Sequence, residues 1–306
     1  MSALESAAGR QKARSAPRVR SEKFPAVHIC GNYLYERFKV EQRNLWYLRR
    51  LAKPFEDELG YDAFRSPDEV RHNIRLGGEV IFVMPAGGLD VGRKIAVATR
   101  EMRGEILVTG AVVVHKDYRR RGIATHLAED AILRYQPIGA TGRTRRWEVL
   151  RTYEALEDQG EKLVNVISPI DTYGKLSKEA QDKLPVILEP KERDHQFDPE
   201  TGLYPDDALP RLLGADARGF RPPKNNPEGT RIANALKDLG VLPEKGNAVR
   251  YWIEFNQDVL KKASDAYRPI QVVVFPAGTR PNRLIAAIFG LPLFAFIQPS
   301  LASFKK

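Results

Sequence analysis

The stretch from Glu105 to Arg134, EILVTGAVVVHKDYRRRGIATHLAEDAILR, limits the architecture more than any other part of the chain. Ile106 to Val114 is almost unbroken apolar residue. Both of its alternating faces are largely apolar, Ile106-Val108-Gly110-Val112-Val114 on one side and Leu107-Thr109-Ala111-Val113 on the other. A strand of that kind belongs in mid-sheet, covered on both sides. The polarity then changes abruptly to His115-Lys116-Asp117-Tyr118-Arg119-Arg120-Arg121-Gly122. Beyond Gly122 the apolar period becomes helical, with Ile123, Leu127, Ala131 and Tyr135 four apart. The order is strand, basic glycine turn, helix.

That order has a use in chemistry. The first turn of a helix leaves backbone N–H groups without partners, at the positive end of the macrodipole. Gly122 and Ala124 carry almost no side chain, so a ligand can come close to that backbone. Arg119, Arg120 and Arg121 add positive charge at the same place. An ordinary solvated basic turn is the plainer account. The three arginines between strand and helix favour a diphosphate cradle instead.

Val114 through Leu127 resembles the cofactor motif of the GNAT N-acetyltransferase superfamily, Arg/Gln-x-x-Gly-x-Gly/Ala, here Arg119-Arg120-Arg121-Gly122-Ile123-Ala124. The resemblance implies an α/β fold with a mixed, mostly antiparallel sheet flanked by helices on both faces. It implies acetyl-CoA as cofactor, its diphosphate on the backbone from Arg120 to Ala124 and Thr125, its pantetheine arm along the strand at Val112 and Val114. It also implies an N-acetyltransferase, the acetyl group passing directly to an amine whose identity the residues do not reveal. The phosphate logic alone fits other nucleotide binders; the acetyl group comes only from the resemblance.

Amine acetylation needs a base for the ammonium proton and an acid for the departing thiolate. Glu101 and Glu105 sit at the hairpin end of the central strand, Glu105 about nine steps or roughly 30 Å from Val114, and both are expected as solvated turn residues. His115 and His126 flank the basic turn, and His115 is the candidate proton carrier, having a suitable unperturbed pKa. Leu163 to Ile167 reads as a strand, followed by Ser168-Pro169-Ile170-Asp171-Thr172-Tyr173-Gly174-Lys175. This segment is similar to the second motif of the family, and the similarity implies Tyr173 as general acid. It departs from that motif at Asp171 and Ser177.

The remaining chain divides by texture. Residues 1–23 are small, polar and basic, too poor in apolar surface to fold alone, and form an arm that nucleic acid could take. The acetyltransferase-like region is expected over 24–191, opening with helices around Leu45, Leu48 and Leu51 and after Ser66-Pro67. Pro137 to Gly142 reads as the close of the motif helix, Arg145 to Gln159 as an added helix, and Leu184 to Leu188 as a strand. Residues 192–226, rich in proline, form an irregular connector in which Asp194, His195 and Asp198 lack a partner set for a metal. Residues 227–306 form a C-terminal region expected to add helices over Asn226–Gly240 and Asn247–Ser264 and a strand at Gln271–Phe275. Its tail, Leu284 to Phe304, contains no charged residue but is broken by Pro292 and Pro299. A protein partner or a second copy of the chain fits that tail better than a membrane span.

A single cysteine, Cys30, rules out an internal disulfide framework, and no apolar leader follows Met1. A cytoplasmic setting is expected. The formal net charge of +10 points to anionic partners without choosing among them. The alternative to an enzyme is a structural or assembly component, such as part of a phage particle, that keeps the fold without turnover.

Overall fold

The computed structural model describes residues 26–59, 77–87, 89–90, 92–188, 197–204, 225–242 and 247–272. The basic arm, the Ser66 helix start, Asp194, His195 and the apolar tail lie outside these residues. The region expected to open with helices opens with a hairpin, β1 (Ala26–Cys30) and β2 (Tyr33–Lys39), before α1 (Leu45–Leu59). There follow β3 (Glu79–Pro85), β4 (Ala96–Arg103), β5 (Ile106–Val114), α2 (Ile123–Tyr135) and β6 (Gly139–Thr144). Next come α3 (Trp147–Glu154), a small hairpin of β7 (Glu157–Asp158) and β8 (Glu161–Lys162), β9 (Val164–Ser168) and α4 (Lys178–Ile187). The described chain closes with α5 (Pro227–Asp238), β10 (Val249–Phe255), α6 (Gln257–Ala266) and β11 (Ile270–Val272).

Nine strands form one mostly antiparallel sheet in the order β11-β1-β2-β3-β4-β5-β6-β10-β9. The fold is therefore the mixed α/β class expected, with β5 in mid-sheet. The C-terminal residues are part of the same sheet: β10 lies between β6 and β9, and β11 pairs with β1. Helix α1 packs Leu48, Ala52 and Phe55 on Phe38, Phe82 and Val97. Helix α4 packs Ala180 and Leu184 on Ile106 and Trp252 of the same face. The other face carries α2 through Ile123 and Leu127, and α3, α5 and α6 through Leu150, Ile232, Leu236 and Val259.

Three segments differ from the sequence expectation. Gly139 to Gly142 begins a strand, not a helix end. Its glycines are weak strand formers, but a Cβ on Gly139 would lie 2.5 Å from the Trp252 ring, and one on Gly142 2.5 Å from Thr109 Oγ1. Leu184 falls inside α4, where it is buried as a helix-face residue. Val249 to Phe255 is a strand, and the helix begins only after Asn256, whose side chain accepts from the Val259 N–H.

A buried ionic cluster ties α2 to the sheet. The Asp130 carboxylate accepts from Arg100 (2.8 Å), Arg134 (2.7 Å) and the Tyr267 hydroxyl (2.7 Å). Arg100 also donates to Glu79 (3.3 Å) and the Leu127 carbonyl (3.2 Å). Burial alone would raise the Asp130 carboxyl; the charges and hydrogen bonds of Arg100 and Arg134 overcome it and hold the group well below the usual carboxylate range. His28 Nε2 lies 3.8 Å from Asp130 and 3.4 Å from His126 Nε2. Burial pulls His28 down from 6.5 to about 4, against the opposing charge of Asp130.

A pH dependence follows. Below 6.5 the unfolded chain protonates His28 while the folded chain does not, so stability falls as pH drops from 6.5 toward 4. The contribution is at most about 3 kcal/mol at about 1.4 kcal/mol per unit. Urea unfolding at pH 7 and pH 4.5 should show the loss, and His28→Gln should reduce it. An equal loss in that variant would assign the effect elsewhere.

Candidate functional site

The site is built on a defect in β5. Ala98 of β4 stands opposite Val112 and Arg100 opposite Thr109, so Thr99 alone faces both Gly110 and Ala111. This is a β-bulge, and it requires glycine: a Cβ on Gly110 would lie 2.1 Å from Thr99 Oγ1. The extra residue changes which backbone groups look toward β6. Before the bulge the Glu105 carbonyl accepts from the Ile138 N–H, so odd-numbered residues face that side. After it the His115 N–H donates to the Ile95 carbonyl on the β4 side, so Val112 and Val114 now face β6.

By then β6 has moved away. The two strands run parallel and pair only from Ile106–Gly139 to Val108–Thr141. Beyond that point they part while β6 stays bonded to β10 as far as Thr144 opposite Val249. The result is a gap with the strand edge at Val112 and Val114 along one wall. Val112 is an exposed large apolar residue, as a gap-lining position should be.

The basic turn stands at the open end of this gap. Lys116–Tyr118 is a single 3-10 turn, and the chain then adopts left-handed backbone at Arg120 (φ 62°) and Gly122 (φ 76°). Gly122 is the N-cap of α2 and has no side chain to cap it, so the amides of Ile123, Ala124 and Thr125 receive no side-chain cap. A Cβ at Gly122 would meet no atom within 4 Å, so that approach is open. Ile123 is buried in the core and fixes the helix start. Two of the arginines brace the turn: Arg119 Nε donates to the Val114 carbonyl (3.0 Å), and Arg121 donates to the Asp117 carbonyl (2.9 Å) and lies over the Tyr118 ring. Arg120 is exposed.

His115 lies beneath this turn. It is buried, its Nδ1 is 3.3 Å from the Asp117 N–H and 3.5 Å from the Asp117 carboxylate, and its Nε2 is 3.0 Å from Arg93. The Asp117 N–H donates to Nδ1, and the Arg93 guanidinium, which can only donate, lies against Nε2. The histidine thus connects the loop at Arg93 to the start of the basic turn. His126, one turn into α2, faces His28 instead. Glu101 is not a solvated turn residue: it is buried and paired with Arg103 (2.5 Å).

Tyr173 is placed elsewhere. It sits at φ 54° in the turn after β9 and is 101% exposed. Ser168, at the end of β9, lies in one row with Trp252, Thr141 and Val108. Three strand spacings of about 4.8 Å therefore separate it from β5, roughly 14 Å. The tyrosine that reaches the fork is Tyr153 of α3. It is 5% exposed, its ring centroid lies 5.8 Å from that of Tyr251, and the hydroxyls of Thr109 and Tyr251 are its hydrogen-bond partners. Thr109 donates its one proton to the Thr141 carbonyl (3.1 Å), so Tyr251 donates to Thr109 and is left to accept from Tyr153. Burial raises the pKa of both phenols; for Tyr153 the Thr109 and Tyr251 hydroxyls work in the other direction. No sequence spacing announces this trio, because its members come from β5, α3 and β10.

No group of three or more metal-ligating side chains occurs among the described residues, and no described helix is long and apolar enough to cross a membrane. No protein-family model matches the chain, and no curated protein does. Parts of the chain are similar to solved structures. One is a GNAT-family acetyltransferase of Staphylococcus aureus, 15% identical, spanning 36% of this chain and 73% of its own, with a TM-score of 0.27. Another is an IAA acetyltransferase of Bacillus cereus, 17% identical over 44% of this chain and 79% of its own, TM-score 0.29. A third is a probable GNAT-family acetyltransferase of Chromobacterium violaceum, 12% identical over 49% of this chain and 90% of its own, TM-score 0.29.

Proposed function

We propose that this chain transfers an acetyl group from acetyl-CoA to an amine by direct attack. The observation that carries the reading is the gap itself: a strand edge at Val112 and Val114 that β6 does not pair with, leading to amides at Ile123, Ala124 and Thr125 that no side chain caps. A donor with a chain of amides ending in a diphosphate fits both halves. The edge can pair with the amides as a neighbouring strand would, and the helix start with Arg119 to Arg121 takes the negative charge. Bound there, acetyl-CoA supplies an activated acetyl thioester whose thiol leaves as the amine nitrogen bonds to the carbonyl carbon.

The residues at the fork hold protons for that exchange. Tyr153 and Tyr251 are protonated at neutral pH, since burial raises both. Tyr153 is therefore equipped as an acid toward a leaving thiolate rather than as a base. Once its proton is given up, Tyr251 can turn its own hydrogen back toward the Tyr153 oxygen and stabilise the anion. The ammonium proton leaves to water. Tyr173, exposed and held by no packing, has no comparable constraint on its hydroxyl, and His115 positions the basic turn through Arg93 and Asp117.

Calorimetry with acetyl-CoA tests the donor, and no heat of binding at millimolar ligand would remove the reading in favour of a non-catalytic scaffold. Tyr153→Phe tests the acid. It should lower kcat by about 100-fold while acetyl-CoA affinity stays within a factor of about two. Tyr173→Phe should leave kcat unchanged, and the reverse pattern would return the acid role to Tyr173.

A further inference from the structure

Arg145 lies between the last residue of β6 and Arg146, the N-cap of α3. It is only 6% exposed, yet it makes no hydrogen bond or ion pair with any described residue. The comparably buried arginines are provided for: Arg100 holds Asp130 and Glu79, and Arg250 donates twice to the Tyr204 hydroxyl. Arg146 next door makes a two-bond pair with Glu148. Burial lowers the Arg145 pKa, the neighbouring Arg146 lowers it further, and no carboxylate among the described residues offsets either. A cation withdrawn from water without a counter-charge costs the fold stability. Such a cost persists most simply where the counter-charge arrives with a ligand.

Its place in the fold says which ligand. Pairing of β6 with β5 stops at Thr141, whereas its pairing with β10 continues to Thr144. Arg145 therefore stands at the open end of the gap, on the wall across from Val112, Val114 and Gly122. The first turn of α3 begins beside it, and its N-cap residue makes no side-chain cap, which adds a positive dipole end on the same wall. If the donor's diphosphate takes the β5 wall, the cation on the β6 wall is left for a second anion.

We propose that Arg145 anchors an oxyanion carried by the acceptor amine, a carboxylate or a phosphate. The inference rests on the transferase reading for the word acceptor, but not for the anion site. Arg145 is then a specificity residue: it selects amines that bear a negative group and gives no hold to neutral ones.

The test uses the full chain and matched amines: glycine against glycinamide, and phosphoethanolamine against ethanolamine. The wild-type protein should favour one or both anionic members at least about tenfold in kcat/KM, the scale of one charge-assisted contact. Arg145→Gln should abolish that preference by raising KM, leave acetyl-CoA affinity unchanged, and raise the melting temperature without ligand, since a buried unpaired charge is gone. A preference that survives in Arg145→Gln, or a variant that melts lower, overturns the proposal. So does a loss of acetyl-CoA affinity with acceptor preference intact, which would give the contact to the donor. If the wild-type protein binds no acetyl-CoA, the transferase reading fails by itself. The anion site is then judged by melting: glycine or inorganic phosphate should raise the midpoint of the wild type and not of Arg145→Gln, and equal shifts, or none, reject it.

Discussion

Asp130→Ala should cost the fold about 3–5 kcal/mol, the range for removing one partner of a buried ion pair. The carboxylate is the common acceptor for Arg100, Arg134 and Tyr267, and these come from β4, α2 and the residue that ends α6. Without it two guanidinium groups remain withdrawn from water. Arg100 keeps Glu79 and the Leu127 carbonyl, and Arg134 keeps much less. For a domain of this size the loss corresponds to a drop of roughly 10 °C or more in melting temperature. Asp130→Asn should recover part of it, because the amide oxygen still accepts while the charge is absent. Because the Asp130 pKa is depressed in the folded state, its contribution is present above its ordinary value of 3.8 and is lost as pH falls below it. Calorimetric melting of the two variants checks the prediction; a loss below about 1 kcal/mol for alanine would mean that the cluster rearranges around the gap.

Gly122→Asp should weaken acetyl-CoA binding by roughly 100-fold or more while leaving the fold nearly intact. The left-handed conformation at this residue costs an L side chain about 1 kcal/mol, and aspartate tolerates it better than most. No atom lies within 4 Å of the new Cβ, so nothing in the protein has to move. The new carboxylate would stand among the amides proposed to hold a diphosphate. Two like charges about 4 Å apart near a surface repel by about 4 kcal/mol. Gly122→Asn has the same shape without the charge and should lose only the steric part. The difference between the two variants should shrink in high salt. Titration calorimetry at two ionic strengths measures it, and wild-type affinity in Gly122→Asp would dismiss the turn as an anion site.

The parts of the site that were legible in the sequence are those whose signal is local. The β5 run, the arginines and the helical period after Gly122 lie within one continuous stretch, so strand, turn and helix could be read together. The other wall was not legible. Gly139 and Gly142 carry no strand signature, because their lack of side chain is demanded by Trp252, Tyr251 and Thr109, which come from β5 and from a strand far down the chain. β9 is the next apolar run that reads as a strand, and the family resemblance points to Tyr173 beyond it. Tyr153 already stood at a helix-face position among Trp147, Leu150 and Leu156, which reads as core and is core. Trp252, Phe255 and Val259 imitate a helical period across the junction of β10 and α6, and only Asn256 marks the change. Arg145 is invisible in a basic chain until its burial is known.

The connection from β10 to β11 ties the two halves of the sheet together. The chain leaves β10, on one side of the gap, and returns as β11 at the opposite edge of the sheet. Seven strand positions of about 4.8 Å lie between them, about 34 Å before any twist is allowed for. From Phe255 to Ile270, ten helical steps of α6 at about 1.5 Å each and five extended ones at about 3.4 Å reach about 32 Å. The span is therefore close to taut, and Tyr267 is fastened to Asp130 along the way. The two halves of the sheet are belted together behind α2 and cannot swing apart like a jaw unless β11 peels from β1. Parting the two halves to widen the opening would strain this connection before it strained the sheet.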